Sequence, residues 1–458
     1  MEMTDVGALR ARCDVRRRVN DAERDAIVSS DHYIYITRRF LADSCRAGWP
    51  VGRSCAGCTK LAGILHRRAG RTAGRAGRCG DSRTGAGAGR RARPARAPAE
   101  FPGPMTNHTD SAYLLGDLLK NVSRSFYLTL RVLPDGMRDP VGLAYLLARA
   151  ADTIADTALV APDRRAALLT QLRENIERLD DGVALSQALE DVTRMQTDSH
   201  EHVLLGSMQP MLALLRTQSA ADSAAIRKVV ATLTSGMEFD LRTFPDEQAG
   251  QVAALPSREL LDRYTYLVAG CVGEFWTDMT GMHTRAARRW DLPDMREKGI
   301  RFGKALQMTN ILRDCAKDLR IGRCYLPQEV LDAHGLRVPD LLAPDASPRA
   351  RGVLFDLLRV ALAQYRDACL YTVAIPRRFV RLRLACLWPI LIGLETLELL
   401  AGHDAWLDPA RPAKVTRKRV YRIMASSLAI VGSNAAIRAR VTRLIDAVDA
   451  SIGTAARS

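Results

Sequence analysis

From residue 111 to about residue 450, apolar side chains recur at three- and four-residue intervals, the period of a helix with one buried face. The two-residue alternation of a half-buried strand is absent. Asp139-Pro140 reads as a helix start, with the aspartate as N-cap and the proline in the first turn. Ala161-Pro162 closes that helix or opens the next, whose periodicity runs through Leu179. Pro256-Ser257 opens a helix over residues 257–279, and a further one covers 297–320. Segments 350–372, 381–402 and 415–450 continue the pattern. The expected architecture is one all-α domain over residues 105–450.

Residues 1–104 follow no such pattern. From Arg67 to Pro104 they are Arg, Gly, Ala and Pro in low-complexity order, which buries too little surface to offset chain entropy. HYIYITRRF, ahead of that stretch, is a single β-like run without a partner. GAGAGR at residues 85–90 lacks the strand before it and the helix after it that a nucleotide-binding loop requires. A disordered extension, an organelle-targeting leader and sequence upstream of a true start are all compatible with such text. Asp14, Asp21, Glu23 and Asp25 speak against a transit peptide. Met105, at the edge of the periodic region, favours a start there.

Within the periodic region two segments carry a polar stripe on an apolar helix. In YLLARAADTIAD the stripe is Tyr145, Arg149, Asp152 and Asp156; in QMTNILRDCAKD it is Gln307, Asn310, Asp314 and Asp318. At about 100° per residue each set shares one helix face, along about 16 Å of axis. Two such helices face to face would crowd four carboxylates into one cavity. A hard divalent cation relieves that repulsion, and Mg²⁺ then takes phosphate oxygens as its remaining ligands.

Charge and cysteine content sharpen the picture little. The net charge of +16 suggests nucleic acid until it is located: residues 1–104 hold 21 Lys/Arg against 10 Asp/Glu, so most of the excess lies outside the helical region. No nucleic-acid partner is expected. Cys271, Cys315, Cys324, Cys369 and Cys386 are expected as reduced core thiols, and the lone Cys55–Cys58 pair has no flanking ligands at zinc spacing. The longest apolar run, LACLWPILIGL at residues 384–394, is 11 residues. That falls short of the roughly 20 a span needs. A buried helix is expected, against which an apolar substrate could lie.

Taken together, SRSF (residues 123–126), YLLARAADTIAD, YTYLVAGCVG (264–273), QMTNILRDCAKD and GRCYLPQE (322–329) stand in one order along the chain. In that order they resemble the squalene/phytoene synthase family, enzymes that couple prenyl diphosphates head to head. The resemblance implies a single-domain isoprenoid-synthase helical fold with a central active-site cavity. It implies Asp152, Asp156, Asp314 and Asp318 as Mg²⁺ ligands, with Gln307 and Asn310 beside them. It implies diphosphate contacts from Ser123, Arg124, Ser125, Arg149 and Arg313, although Arg313 could instead pair with a neighbouring acid. Tyr145 and Tyr264 would flank the reacting carbons; Tyr266 is the less fitting choice for the second. Two positions depart from the family pattern, since Ala155 and Lys317 stand where an additional acid is common. The small residues Ala269, Gly270 and Gly273 mark a surface approached closely, by another helix or by a prenyl chain.

The expected activity is Mg²⁺-dependent condensation of two farnesyl diphosphates to presqualene diphosphate, followed by NADPH-dependent reduction to squalene. Phytoene or dehydrosqualene synthesis without reduction, and a catalytically silent relative acting through a partner, are the alternatives. Lys414, Arg417, Lys418 and Arg419 form a basic cluster that would meet a cofactor phosphate, or else a solvated face. A cytoplasmic monomer with peripheral membrane contact completes the expectation.

Overall fold

The computed structural model describes residues 111–123, 130, 133–247 and 249–455. The expectations for residues 1–104, and for Arg124 and Ser125, lie outside them. The long helices are α1 (Asp135–Asp156), α2 (Pro162–Arg178), α3 (Ala220–Thr243), α4 (Arg258–Thr265) and α5 (Cys271–His283). They continue as α6 (Leu292–Arg320), α7 (Arg351–Ala374), α8 (Val380–Ala401), α9 (Arg417–Ile430) and α10 (Asn434–Ala455). Short helices fill residues 183–216. Among the described residues, strand is confined to β1 (Ala253–Ala254), parallel to β2 (Arg323–Cys324).

Several boundaries differ from the sequence expectation. Helix α1 begins at Asp135 behind Pro134, so Pro140 sits within it rather than at its first turn. There the proline forgoes one backbone bond, the one to Gly136. Ala161 caps α2 with Pro162 at its first position, and Leu179 takes the left-handed conformation at its end. Ser257 caps α4 by accepting from the backbone of Leu260. The helix expected to run unbroken from there widens into a π turn at Tyr266–Gly270. Segment 415–450 is two helices, α9 and α10, broken at residues 431–433.

The π turn answers what approaches the small residues. Helix α6 does: a Cβ on Gly303 would lie 2.2 Å from the carbonyl oxygen of Ala269, and Gly273 meets Gly299 in the same way.

Helix α8 is longer than its uncharged run. At 22 residues, with mean hydropathy 1.7, it is long and apolar enough to cross a membrane, yet 72% of that stretch is buried within the protein. It packs on α6, α7, α9 and α10. The charges that seemed to end it are paired internally. Buried Arg383 donates to the Ile375 carbonyl at 3.0 Å and to Asn434 at 2.7 Å. Buried Glu395 accepts from Arg419 and, at 3.3 Å, from Arg440. The five described cysteines are free and buried, as expected.

Two apolar cores result. One gathers Leu146, Leu147, Leu168, Leu172, Ile226 and Val230 between α1, α2 and α3. The other gathers Leu312, Leu358, Leu394, Leu397, Val441 and Val448 between α6, α7, α8 and α10. A cavity draws its walls from side chains of both.

Candidate active site

That cavity encloses about 350 Å³, within the range of ligand pockets. Asp152 and Asp156 reach it from the last turns of α1, and Asp314 and Asp318 from the last turns of α6. Both pairs therefore sit at helix C-termini, where the unpaired carbonyls add negative potential to that of the carboxylates. Gln307 and Asn310 line the same cavity, 3.4 Å apart at their amides. Leu233, Met237, Leu241, Val268 and Ile311 add an apolar part to a wall that also holds Asp240, Tyr264, Arg313, Arg323 and Tyr325.

Crowding shows in the acidities. Burial first, and then the neighbouring Asp314, push Asp318 up to about 7, against a smaller opposing effect of Arg323. Asp156 is raised by restricted hydration and by Asp152, although its carboxylate opens to the cavity. Arg313 forks onto Asp314, Nε to Oδ1 at 2.9 Å and Nη2 to Oδ2 at 2.5 Å. Arg149 bridges Asp152 and Glu201, the latter at 2.5 Å. Burial would depress that guanidinium, but the two carboxylates more than offset it.

A second polar group, Asp240, Tyr264, Arg323 and Tyr325, lines the same cavity. Gly322, at φ +87°, turns the chain out of α6, and the short pairing of β1 with β2 fixes the segment carrying Arg323 and Tyr325. Arg323 donates to Glu247 at 2.7 Å and to Asp240 of α3 at 3.4 Å. The Tyr325 hydroxyl donates to Asp240 at 2.6 Å. The rings of Tyr264 and Tyr325 stack with centroids 4.8 Å apart, and their hydroxyls lie 3.3 Å apart. Burial raises both phenols well above their ordinary range. It lifts Asp240 to about 6, against the opposing effects of Arg323 and the tyrosine hydroxyls.

The expected residues divide accordingly. The four aspartates, Gln307, Asn310, Arg313 and Tyr264 meet at the cavity. Arg149 stands one shell behind Asp152. Tyr145 packs in the core of α1, α2 and α3, its hydroxyl 3.4 Å from the Val122 carbonyl, and does not line the cavity. Ser123 is buried with its hydroxyl on the Leu119 carbonyl, one turn back, instead of facing an anion. Tyr266 turns to Glu274, 3.1 Å away. Lys414, Arg417 and Arg419 are exposed and line no part of the cavity, and Arg419 is held by Glu395. Lys317 is exposed, while Ala155 is part of the wall.

Asp240, Glu247 and Glu201 carried no sequence signal. Arg323 and Tyr325 did, through the GRCYLPQE block, without a role being assigned. Among the described residues no three His, Cys, Asp or Glu side chains converge tightly enough to hold a metal by themselves. With Ala155 and Lys317 in place of acids, a cation here would draw part of its coordination from a ligand.

The sequence model of the squalene/phytoene synthase family matches residues 119–419, and the chain belongs to that family. Its members condense prenyl diphosphates such as farnesyl diphosphate head to head. The chain is 31% identical to a presqualene diphosphate synthase of Zymomonas mobilis, over 53% of its own length and 69% of the relative's. It is 30% identical to a 15-cis-phytoene synthase of a Paracoccus species, over 68% and 86%. Identity to a squalene synthase of Eremothecium gossypii is 26%, over 64% of this chain and only 62% of that enzyme. The ligand-bound TcSQS structure superposes with a TM-score of 0.57 at 19% identity, over 76% of this chain and 100% of the other. At that identity the likeness concerns the helical fold.

Proposed function

We propose that this chain condenses two molecules of farnesyl diphosphate head to head, with Mg²⁺, to presqualene diphosphate. The observation that carries the reading is the meeting of both aspartate pairs in one cavity that Leu233, Met237, Leu241, Val268 and Ile311 also line. Oxygen is the only donor that Asp152, Asp156, Asp314, Asp318, Gln307 and Asn310 offer a metal there, a set suited to a hard cation. Asp318 and Asp156 are shifted upward because the neighbouring cations do not offset burial and the adjacent carboxylates, so the residues fit Mg²⁺. Bound there, Mg²⁺ would neutralise the diphosphate and the charge that grows on it as the C–O bond ionises.

The remaining work falls to the chain. Arg313 and Arg149 already stand against the carboxylates, and their planar forks suit diphosphate oxygens. Leu233, Met237, Val268 and Ile311 receive the prenyl chain and exclude the water that would capture an allylic cation. The stacked faces of Tyr264 and Tyr325 offer that cation an aromatic neighbour.

Two continuations follow from presqualene diphosphate. Reduction by NADPH would give squalene, the outcome expected from the sequence. Release of presqualene diphosphate itself is favoured by one observation: Arg419, one member of that basic cluster, is engaged by Glu395. Incubating the full chain with farnesyl diphosphate and Mg²⁺, with and without NADPH, separates them. Squalene formed only with NADPH supports reduction; presqualene diphosphate under both conditions supports release. A conjugated triene regardless of NADPH assigns the chain to the non-reducing synthases. No Mg²⁺-dependent consumption of farnesyl diphosphate ends the reading altogether.

A further inference from the structure

The C-terminal helices bring two acid-free stretches of chain together. Residues 368–394 contain four arginines and residues 409–445 nine Lys/Arg, with no Asp or Glu in either. Helix α9 runs back along α8: Arg419 meets Glu395, and the Trp388 indole donates to Ser427 at 2.8 Å. Further along, buried Arg383 donates to Asn434 at 2.7 Å. The start of α8 therefore lies beside the end of α9 and the start of α10.

Helix α9 has two unlike faces. Val420, Ile423, Met424 and Ser427 are buried. Lys418, Arg422, Ala425 and Ala429 recur at helical spacing as an outward stripe, and all four are exposed. Leu428 borders that stripe and is 55% exposed. At the neighbouring corner Arg377, Arg378, Val380 and Arg381 are exposed, Val380 by 40%. Both apolar side chains thus stand in water among cations.

The positive charge there is unopposed. Glu395 is buried and already met by Arg419 and Arg440. Glu398 lies toward the other end of α9, where it acts on Arg419. Among the described residues Lys418, Arg422, Arg377 and Arg381 make no ion pair. Unpaired cations and a solvent-facing leucine are each ordinary on a protein surface. Joined on one acid-free face, they match the two layers of an anionic bilayer surface, phosphates above an acyl boundary.

We propose that the outward face of α9, with the corner at residues 377–381, docks on a bilayer containing anionic phospholipid. Lys418, Arg422, Arg377 and Arg381 meet headgroup phosphates, while Leu428 and Val380 enter the acyl boundary. The apolar pair selects lipid over nucleic acid, because a polynucleotide rewards the cations and leaves Leu428 in water. None of these six residues lines the cavity, so the inference stands apart from the condensation reading.

The test is sedimentation of the full chain with phosphatidylcholine vesicles, with and without phosphatidylglycerol. The wild type should bind the anionic vesicles alone, and less tightly as salt rises. Lys418→Gln with Arg422→Gln should weaken binding by about 25-fold, at about fivefold for each basic side chain lost, and flatten the salt dependence. Leu428→Ser should weaken it by about fivefold with the salt dependence unchanged, because that loss is apolar. An unchanged melting temperature checks that each variant folds, and Arg381→Gln and Val380→Ser serve where one does not. Equal binding to neutral and anionic vesicles, or binding to neither, would overturn the proposal. So would variants within about twofold of wild type, which would move attachment to another part of the chain. Salt-sensitive binding to single-stranded DNA that exceeds vesicle binding and survives Leu428→Ser would also overturn it, as the mark of a nucleic-acid face. Farnesyl diphosphate consumption by the same preparation reports on the condensation reading separately.

Discussion

Gly273 of α5 and Gly299 of α6 touch backbone to backbone: a Cβ on Gly273 would stand 1.9 Å from the Gly299 carbonyl oxygen. Helix α6 carries Asp314 and Asp318 fifteen and nineteen residues further on, so this contact sets where the second aspartate pair meets the first. Gly273→Ala should destabilise the protein by about 1–3 kcal/mol, the usual cost of overpacking. Turnover should fall even where the variant is fully folded, because α6 must shift. Chemical denaturation and steady-state rates of one preparation check both. Unchanged stability would mean that the helices separate at no cost.

Tyr264 and Tyr266 lie two residues apart but on different sides of the helix. Tyr264→Phe should lower coupling by tenfold or more, on the order of a lost acid–base group. Tyr266 faces Glu274, with Lys304 6.0 Å from its ring, and Tyr266→Phe should stay within about threefold of wild type. Equal losses in the two variants, measured under saturating substrate, would contradict the assignment.

The crowded carboxylates give stability a pH dependence. Asp318 stands at about 7 and Asp240 at about 6, against 3.8 for an ordinary aspartate. The unfolded chain therefore releases these protons first as pH rises. Their contribution to stability is complete below pH 3.8 and is lost as pH climbs through about 6 and 7. Melting temperatures of the metal-free protein should decline between pH 5.5 and 7.5 for this reason. Mg²⁺ with inorganic diphosphate should restore more stability at pH 8 than at pH 6, because bound metal takes the deprotonated form. A larger restoration at pH 6 would contradict the site.

Asp318→Asn separates stability from function. Removing a carboxylate held above its ordinary range relieves repulsion from Asp314, so the metal-free variant should melt higher than wild type at pH 8. Farnesyl diphosphate turnover should fall by about 100-fold or more, as expected when electrostatic stabilisation of a leaving group is lost. A lower melting temperature would show the carboxylate to be stabilising instead.

The aspartate stripes were legible because a 3.6-residue period is written into local sequence, and a helix needs little else to present Asp152 with Asp156, or Asp314 with Asp318, on one face. The order of the five blocks made the family legible. What escaped depends on contacts between distant segments. Asp240 gains its significance from Tyr325, 85 residues away, and Glu201 from Arg149, 52 residues away. The length of α8 was hidden by Arg383 and Glu395, which look like solvent-facing ends until Asn434, Arg419 and Arg440 are seen to pair with them. The π turn at Tyr266–Gly270 has no periodic signature, and it follows from how closely α6 must approach.

The central claim is that the two aspartate pairs form one metal–diphosphate site. A crystal structure of the full chain with Mg²⁺ and a non-ionising farnesyl thiodiphosphate tests it most directly. The account predicts metal density between Asp152/Asp156 and Asp314/Asp318, bridged to the diphosphate, with the prenyl chain along Leu233, Met237 and Val268. An analogue bound elsewhere, with both aspartate pairs free of metal, would contradict it.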